Sequence, residues 1–460
     1  MSKVFVFGID GAMPEKIFEE WLDKLPNIKK LMEQGCYAKL NSTIPPLSGT
    51  AWISLVTGKS PSDTGIFEYV YRKDFSYDSF HVVSSFNVKQ KKIWEILSEQ
   101  GKKTAFCFVP LTWPIKPFNG CLISGFMTPQ GGDIEWAFPK KLKEEINSLI
   151  GETLLIDIPN FRNLTKHEII NEVYRISKMH LNVMKHILKN YEWELFFGII
   201  NGSDRLNHSF WRYCDKGHRR YEPNSEFKDT LKNYYKFLDR ELGELIELID
   251  EDAIIIVLSD HGIVRMHTRI NLTDWLIEKN YMVLKEPLRK KCEFKMNMVN
   301  WSKTKAFAIG AYEGQIYINL KGREPQGIIK QKDYNKLIDE LEEKLKKIRG
   351  DNGEILNTKI FKKEDWFKGE CEDIAPDIIV YFDNLCYGCN TTLIGNNTLW
   401  SPQTAAGSDD AAHSQQGIFI MNKSRQKGNI GEVDILDVAP TILNRLNIKI
   451  PENFKGKVIN

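Results

Sequence analysis

No stretch of this 460-residue chain approaches the ~18 consecutive apolar residues of a membrane span. The opening MSKVFVFGIDGA has neither the long apolar core nor the small-residue cleavage site of a signal peptide. Charge of one sign is also missing. The 63 Lys and Arg face 61 Asp and Glu, a net +2, so bulk electrostatics draws the chain to neither nucleic acid nor an anionic membrane. The eight cysteines are scattered; only Cys386 and Cys389, in LCYGCN, lie close together, and no second pair completes a zinc-finger spacing. They read as ordinary reduced thiols, and the cytoplasm is the expected compartment. Internal repeats and low-complexity tracts are absent as well.

What the chain does have is core-forming material, at 42% hydrophobic and 11% aromatic residues, and a strand–helix rhythm. KVFVFGI and KKTAFCFV read as strands. PNIKKLMEQG, TAWISLVTG and KKIWEILSEQG read as helices, each stopped by a glycine (Gly35, Gly58, Gly101). This alternation implies βαβ units and a mostly parallel sheet flanked by helices. The expected division is a core built from residues 1–125, 191–267 and 371–460. A helical lid insertion would occupy 126–190, its long helix announced by the capping box Thr165-x-x-Glu168. A second insertion of α+β character would occupy 268–370, with the strand GQIYINL and the charged amphipathic helix YNKLIDELEEKLKKI. PDIIVYF returns to a strand, 384–412 reads as a polar irregular segment, GIFIM as a strand, and a last helix is expected from near Asp434.

Carboxylates follow the buried strands. Asp10 ends VFVFGID, Asp204 and His208 follow LFFGIING, and Asp260 with His261 ends AIIIVLSDH. Residues just beyond parallel strands lie at the carboxyl edge of the sheet, where open α/β folds build their sites. Asp204 and His208, four apart, share one face of a helix. Asp260 and His261 would splay on a regular strand, but past its end, with Gly262 relaxing the backbone, both can turn inward. One D-x-x-x-H is usually a solvated face; two such pairs after two buried strands, with Asp10 after a third, point to metal. Asp and neutral His suit zinc or manganese.

Ser48 lies in PPLSGTAWISLVTG, where a proline-rich loop enters a helix. The first N–H groups of that helix, Gly49 among them, form an anion site. Taken alone, Ser48 serves equally as an N-cap. Beside a metal ion it becomes a nucleophile, with a second ion roughly 3.5–4 Å away to stabilise the leaving oxygen and then activate water.

The chain resembles the alkaline phosphatase superfamily, in its type I phosphodiesterase/nucleotide pyrophosphatase branch and the phosphohydrolase/phosphomutase-like members of it. The segments that carry this are VFGIDGA, STIPPLSGTAWISLVTGKSPSDTGIFEY, VPLTWPIKPFNGCLISGFMTP, NGSDRLNHSFWRYCD, VLSDHGI, IYINLKGREPQGII, APDIIVYF and DVAPTILNRLNIKIPENFKGK, in order over almost the whole chain. The resemblance implies an alkaline-phosphatase-like core with two divalent ions, zinc first, manganese or iron as alternatives. It assigns Asp10, Asp260 and His261 to the ion beside the nucleophile Ser48, and Asp204, His208 and His413 to the other. The chain departs from its relatives at Thr50, where many carry proline, and at Ala51, where animal nucleotide pyrophosphatases carry an asparagine. It departs again at Thr64-Gly65-Ile66, often His-Gly-Ile, and at His413-Ser414-Gln415, often His-Arg-Pro. The Cys/Ser-x-Pro-x-Arg signature of sulfatases is absent at Ser48.

The expected activity is therefore metal-dependent hydrolysis of a small phosphorylated substrate through a phosphoserine. The alternatives are a phosphomonoesterase or phosphomutase on the same centre, or a metal-binding scaffold without turnover. Arg205 is a candidate phosphate contact and His267 a candidate metal neighbour. Phe67, Tyr69 and Tyr71 are candidates for stacking on substrate, though aromatics at this density are more often core. His180 and His186, on the lid helix, read as surface or packing residues.

Overall fold

The computed structural model describes residues 3–131 and 133–460, and the side chain of Tyr71 lies outside the described part. Nine strands form the main sheet: β1 (Val4–Ile9), β2 (Gly35–Asn41), β3 (Thr104–Val109), β4 (Gly120–Ser124), β5 (Ala137–Phe138), β6 (Leu195–Ile200), β7 (Ile254–Leu258), β8 (Gln416–Asn422) and β9 (Gly428–Asp434). Their spatial order is β9-β2-β8-β7-β1-β6-β3-β4-β5. β1 pairs in parallel with β6, Val4 opposite Leu195, and with β7, Val4 opposite Ile254. Only β8, against both β2 and β7, and the edge strand β5 run antiparallel to their neighbours.

The central strands are apolar throughout because both faces of the sheet are covered. Along β1, Phe5, Phe7 and Ile9 enter one core, where helices Pro26–Gln34, Lys166–Asn190, Gly202–Cys214 and Thr230–Ile246 pack. Val4 and Val6 enter the other, shared with Ser48–Thr57, Ile93–Glu99 and Val438–Arg445. Helix stops fall where the glycines predict them: Gly58 and Gly101 take left-handed φ of 62° and 71°. The helix Lys166–Asn190 opens with the expected box, Glu168 N–H donating to Thr165 Oγ1 at 3.3 Å and Thr165 N–H to Glu168 Oε2 at 2.8 Å.

A smaller antiparallel sheet runs Ala306–Ile309, Gly314–Ile318, Ile378–Tyr381, Lys359–Lys362, with helix Tyr334–Lys346 in its core. The strand read from PDIIVYF thus lies in this sheet, so the sheet draws on chain from both sides of residue 370. The segment 384–412 is less irregular than its composition suggests. Tyr387–Cys389 and Trp400–Ser401 flank Thr268–Ile270 in a three-stranded sheet, and strands this short carry no readable periodicity.

Among the described residues no helix is long and apolar enough to cross a membrane. Phe197 tests the packing: it is fully buried on β6, against Trp52 at 6.1 Å and Phe106 at 5.7 Å between ring centroids. Phe197→Ala should cost about 3–5 kcal/mol in denaturant unfolding; a loss under 1 kcal/mol would show that this layer collapses around the cavity.

Candidate active site

Three parallel strands and one long-range antiparallel strand pair deliver the chemistry. Asp10 is the first residue past β1; its N–H donates to Ile200 C=O at 3.0 Å. Gly11 then turns at φ +68° and donates its own N–H to Asp260 Oδ1 at 3.1 Å. Trp52 Nε1–H fixes the other end of Asp10 through Oδ2 at 3.1 Å. Asp204 and His208 sit on helix Gly202–Cys214, directly after β6, with His208 Nε2 3.1 Å from Asp204 Oδ1. After β7, Asp260 and His261 lead into Gly262–Arg265, which pairs antiparallel with Ala411–Ser414 and sets Ile263 opposite His413. Gly262 is required by crowding rather than by a positive φ: a Cβ there would lie 2.0 Å from Gln416 C=O. This long-range strand pairing is what carries His413, remote in sequence, to the carboxyl edge of the sheet.

Two groups of three buried side chains result: Asp204, His208, His413 and Asp10, Asp260, His261, the ligand atoms of each lying within 4.8 Å of one another. Each imidazole points its Nδ1 at a backbone carbonyl. The partners are Ala411 for His208 at 3.0 Å, Pro46 for His413 at 2.8 Å and Gly262 for His261 at 2.9 Å. A carbonyl only accepts, so Nδ1 carries a proton, and in the neutral ring Nε2 is a lone pair. These lone pairs converge: His208 Nε2 is 3.2 Å from His413 Nε2, and His261 Nε2 is 3.3 Å from Asp260 Oδ2. Asp204 Oδ1 and Asp260 Oδ2 are buried without a hydrogen-bond partner. Such an array of acceptors is suited to cations, and N/O donors with backbone-anchored imidazoles are the ligand set of zinc and manganese centres. The residues fit two divalent ions.

The protonation states carry the same message. Burial, with Asp260 and Asp204 nearby, holds Asp10 well above the usual carboxylate range, and burial does the same to Asp260. Burial would raise Asp204 too, but His208 and His413 outweigh it and hold it well below that range. Burial and His261 push His413 down to about 3. Burial opposes the charge on His208, yet Asp204 wins and raises it. A proton and a metal ion thus compete for one nitrogen.

Ser48 is the first residue of helix Ser48–Thr57 and Leu47 is its N-cap, so the capping role is not the one Ser48 fills. Its Oγ lies 3.2 Å from Asp10 Oδ1 and 3.1 Å from His261 Nε2. The helix ladder begins with Ala51 N–H to Leu47 C=O at 2.8 Å, so the N–H groups of Gly49 and Thr50 have no acceptor in the helix. Tyr69 covers this corner: a Cβ on Gly49 would lie 3.2 Å from Tyr69 Cε1 and 3.2 Å from Leu111 Cδ1. Arg205 turns to protein, giving Nη1–H to Asp204 Oδ2 at 3.0 Å and a two-pronged bond to Asp157.

Other residues singled out in the sequence lie apart from the ligands. His267 packs edge-on to Tyr387. Phe67 packs on Phe367, and Tyr71 lies outside the described side chains. His180 is buried, stacked on Phe108 at 3.7 Å between centroids, while His186 bonds Glu145. Cys386 and Cys389 are unpaired, and burial lifts the Cys386 thiol to about 12. The sequence reading missed Trp52, Tyr312 and Asp409. Tyr312 stacks on His208 and sets its hydroxyl 3.3 Å from Nε2 and 3.4 Å from Asp409 Oδ2. No local pattern marks a residue that reaches the site from another sheet.

The fold and the paired ligand groups define an alkaline-phosphatase-like α/β protein. The chain belongs to the type I phosphodiesterase / nucleotide pyrophosphatase family, whose sequence model matches residues 4–391, and it is a hydrolase of phosphoric ester or phosphoanhydride bonds. Among solved structures it is similar to murine ectonucleotide pyrophosphatase / phosphodiesterase 5, solved inactive in complex with AMP. That match has 13% identity, 98% of this chain and 97% of that one covered, and a TM-score of 0.57. The human counterpart gives 14%, 98% and 97%, and 0.56. Phosphonoacetate hydrolase from Sinorhizobium meliloti, in complex with phosphonoacetate, gives 15%, 96% and 95%, and 0.64. At these identities the likeness is one of fold. No curated protein sequence matches the chain.

Next to Tyr69, Glu68 and the fully buried Glu313 form a second acidic pair. Burial lifts Glu313 to about 7, and burial with Glu313 opposite lifts Glu68 to about 8. Both folded values exceed those of an unfolded chain, near ~4.3. The folded chain therefore binds these protons more tightly, and the stability they contribute is complete below that value and lost as pH rises through 7 and 8. Glu313→Gln should flatten the fall in unfolding free energy between about pH 4 and 7, read by urea titrations at successive pH; a slope unchanged from wild type would contradict this origin.

Proposed function

We propose that this chain is a two-metal phosphodiesterase or nucleotide pyrophosphatase that works through a phosphoserine at Ser48. One observation carries the reading: the Ser48 hydroxyl sits at an open helix N-terminus, within 3.2 Å of Asp10 Oδ1 and 3.1 Å of His261 Nε2. Asp10, Asp260 and His261 would hold one ion and Asp204, His208 and His413 the other. Zinc is the first expectation, with manganese or iron as alternatives. When bound, such ions lower the serine hydroxyl pKa and neutralise the phosphoryl oxygens.

The chain's own groups then set the reaction path. Ser48 Oγ bonds to phosphorus in line as the leaving oxygen departs, and water later attacks the phosphoserine, freeing the serine and releasing the phosphoryl product. The N–H groups of Gly49 and Thr50 would donate hydrogen bonds to the negatively charged phosphoryl oxygens.

The substrate would be a small phosphorylated molecule. Ala51 offers no amide to a phosphate oxygen, which separates this pocket from that of the animal nucleotide pyrophosphatases. The lid at 126–190 and the insertion at 268–370 would select the leaving group. The eight unpaired thiols support a cytoplasmic setting. A phosphomonoesterase or phosphomutase could use the same centre, and relative rates on matched mono- and diesters separate these readings.

The test is hydrolysis of a chromogenic phosphodiester. Ser48→Ala should lower kcat by ~1000-fold or more. Chelation should abolish turnover, and zinc or manganese should restore it. A fully metallated preparation inactive on a broad panel of mono- and diesters would overturn the proposal.

A further inference from the structure

Residues 152–164 cross between the two lid helices, Lys140–Ile150 and Lys166–Asn190. Leu154, Ile156 and Ile158 anchor this strap in the main core. His180 pins it as well, its Nε2 lying 2.7 Å from Leu155 C=O. Two polar chains leave the strap.

The first begins at Asp157, whose two oxygens accept from Arg205 Nε at 3.0 Å and Nη2 at 2.6 Å. Arg205 Nη1 donates in turn to Asp204 Oδ2 at 3.0 Å. The guanidinium is packed on both Phe126 and Phe161, its Cζ 5.1 and 5.7 Å from their centroids. Its donors are thus committed to Asp157 and Asp204. With Oδ2 occupied, Asp204 is left to present Oδ1, the buried atom without a partner, to His208 and His413.

The second chain begins at Arg162. Its Nη2 donates to Asp409 Oδ1 at 3.0 Å and Oδ2 at 3.2 Å. Buried Arg269 holds the same carboxylate through Oδ2 at 2.7 Å. Tyr312 donates to Asp409 Oδ2 at 3.4 Å, and its ring lies parallel to that of His208, 5.4 Å away.

Both chains end on one metal group. The Asp10, Asp260, His261 group is instead fixed by its own core, through Gly11 N–H, Trp52 Nε1–H and Gly262 C=O. We propose that the strap 152–164 is a positioning element for the ion held by Asp204, His208 and His413. Asp157 aims Asp204 by way of Arg205, and Arg162 braces His208 by way of Asp409 and Tyr312. The two ions are then unequal: one belongs to the rigid sheet, and the other depends on the lid. This rests on the two-metal reading above.

The test uses the full chain, Zn2+ as probe and a competing chromogenic chelator, with elemental analysis. Wild type should take up two ions. Asp157→Asn should retain one with unchanged affinity and bind the other ~10–100-fold more weakly, the cost usual for partners of ligands. In a His413→Ala background, Asp157→Asn should change nothing further; in an Asp260→Asn background it should weaken the ion that remains. Arg162→Gln, acting through the other chain, should give the same pattern, which guards against a fold defect in Asp157→Asn. Two ions bound as in wild type by both variants would overturn the proposal, as would a loss that persists in the His413→Ala background. A wild-type chain that takes up no zinc would overturn the two-metal reading itself.

Discussion

The structure depends on a concentration of acceptors that cannot satisfy one another. Three imidazoles each commit Nδ1–H to a backbone carbonyl, which turns their Nε2 atoms toward three buried carboxylates and toward each other. Removing such groups from water without partners costs several kcal/mol each. On the two-metal proposal, cations return that cost. In their absence, protons are the available substitute, which is why Asp10 and Asp260 sit so far above the ordinary carboxylate range.

Everything around the site holds this arrangement still. The carboxylates leave strands packed on both faces, so their backbones have almost no freedom. Trp52 is a single side chain with two tasks. Its ring packs so closely on β1 that a Cβ on Gly8 would lie 2.7 Å from it, and its N–H orients Asp10. Ser48 begins the same helix, four residues earlier, so the proposed nucleophile and the orientation of Asp10 are set by one element. The second metal group is built differently. His413 arrives on a strand paired with Gly262–Arg265 and Asp204 on a helix, and contacts that orient Asp204 and His208 come from the strap 152–164 and from Asp409, both outside the main sheet.

Much of this was legible in the sequence, for a physical reason. An apolar run that stops at Asp is a buried strand ending at the sheet edge, so Asp10, Asp204 with His208, and Asp260 with His261 announced themselves. Ser48 followed from a helix start, and His413 only from family resemblance, because its short strand pairs with a segment far away in sequence. What stayed hidden is long-range. Tyr312 reaches His208 across 104 residues and Asp157 reaches Arg205 across 48. No periodicity records such meetings. β2 was missed because GCYAKLN mixes buried and half-buried positions too evenly to stand out. Arg205, first a candidate for substrate, has its guanidinium committed to Asp157 and Asp204.

The central claim is that Ser48 becomes covalently phosphorylated between two metal ions. The most direct measurement is peptide mass spectrometry of metallated enzyme, acid-quenched during turnover of a phosphodiester. The account predicts that the phosphoryl fragment of the substrate appears on the peptide containing Ser48, and that chelation before substrate addition removes it. Rapid turnover with Ser48 unmodified at every quench time, and undiminished in Ser48→Ala, would contradict it.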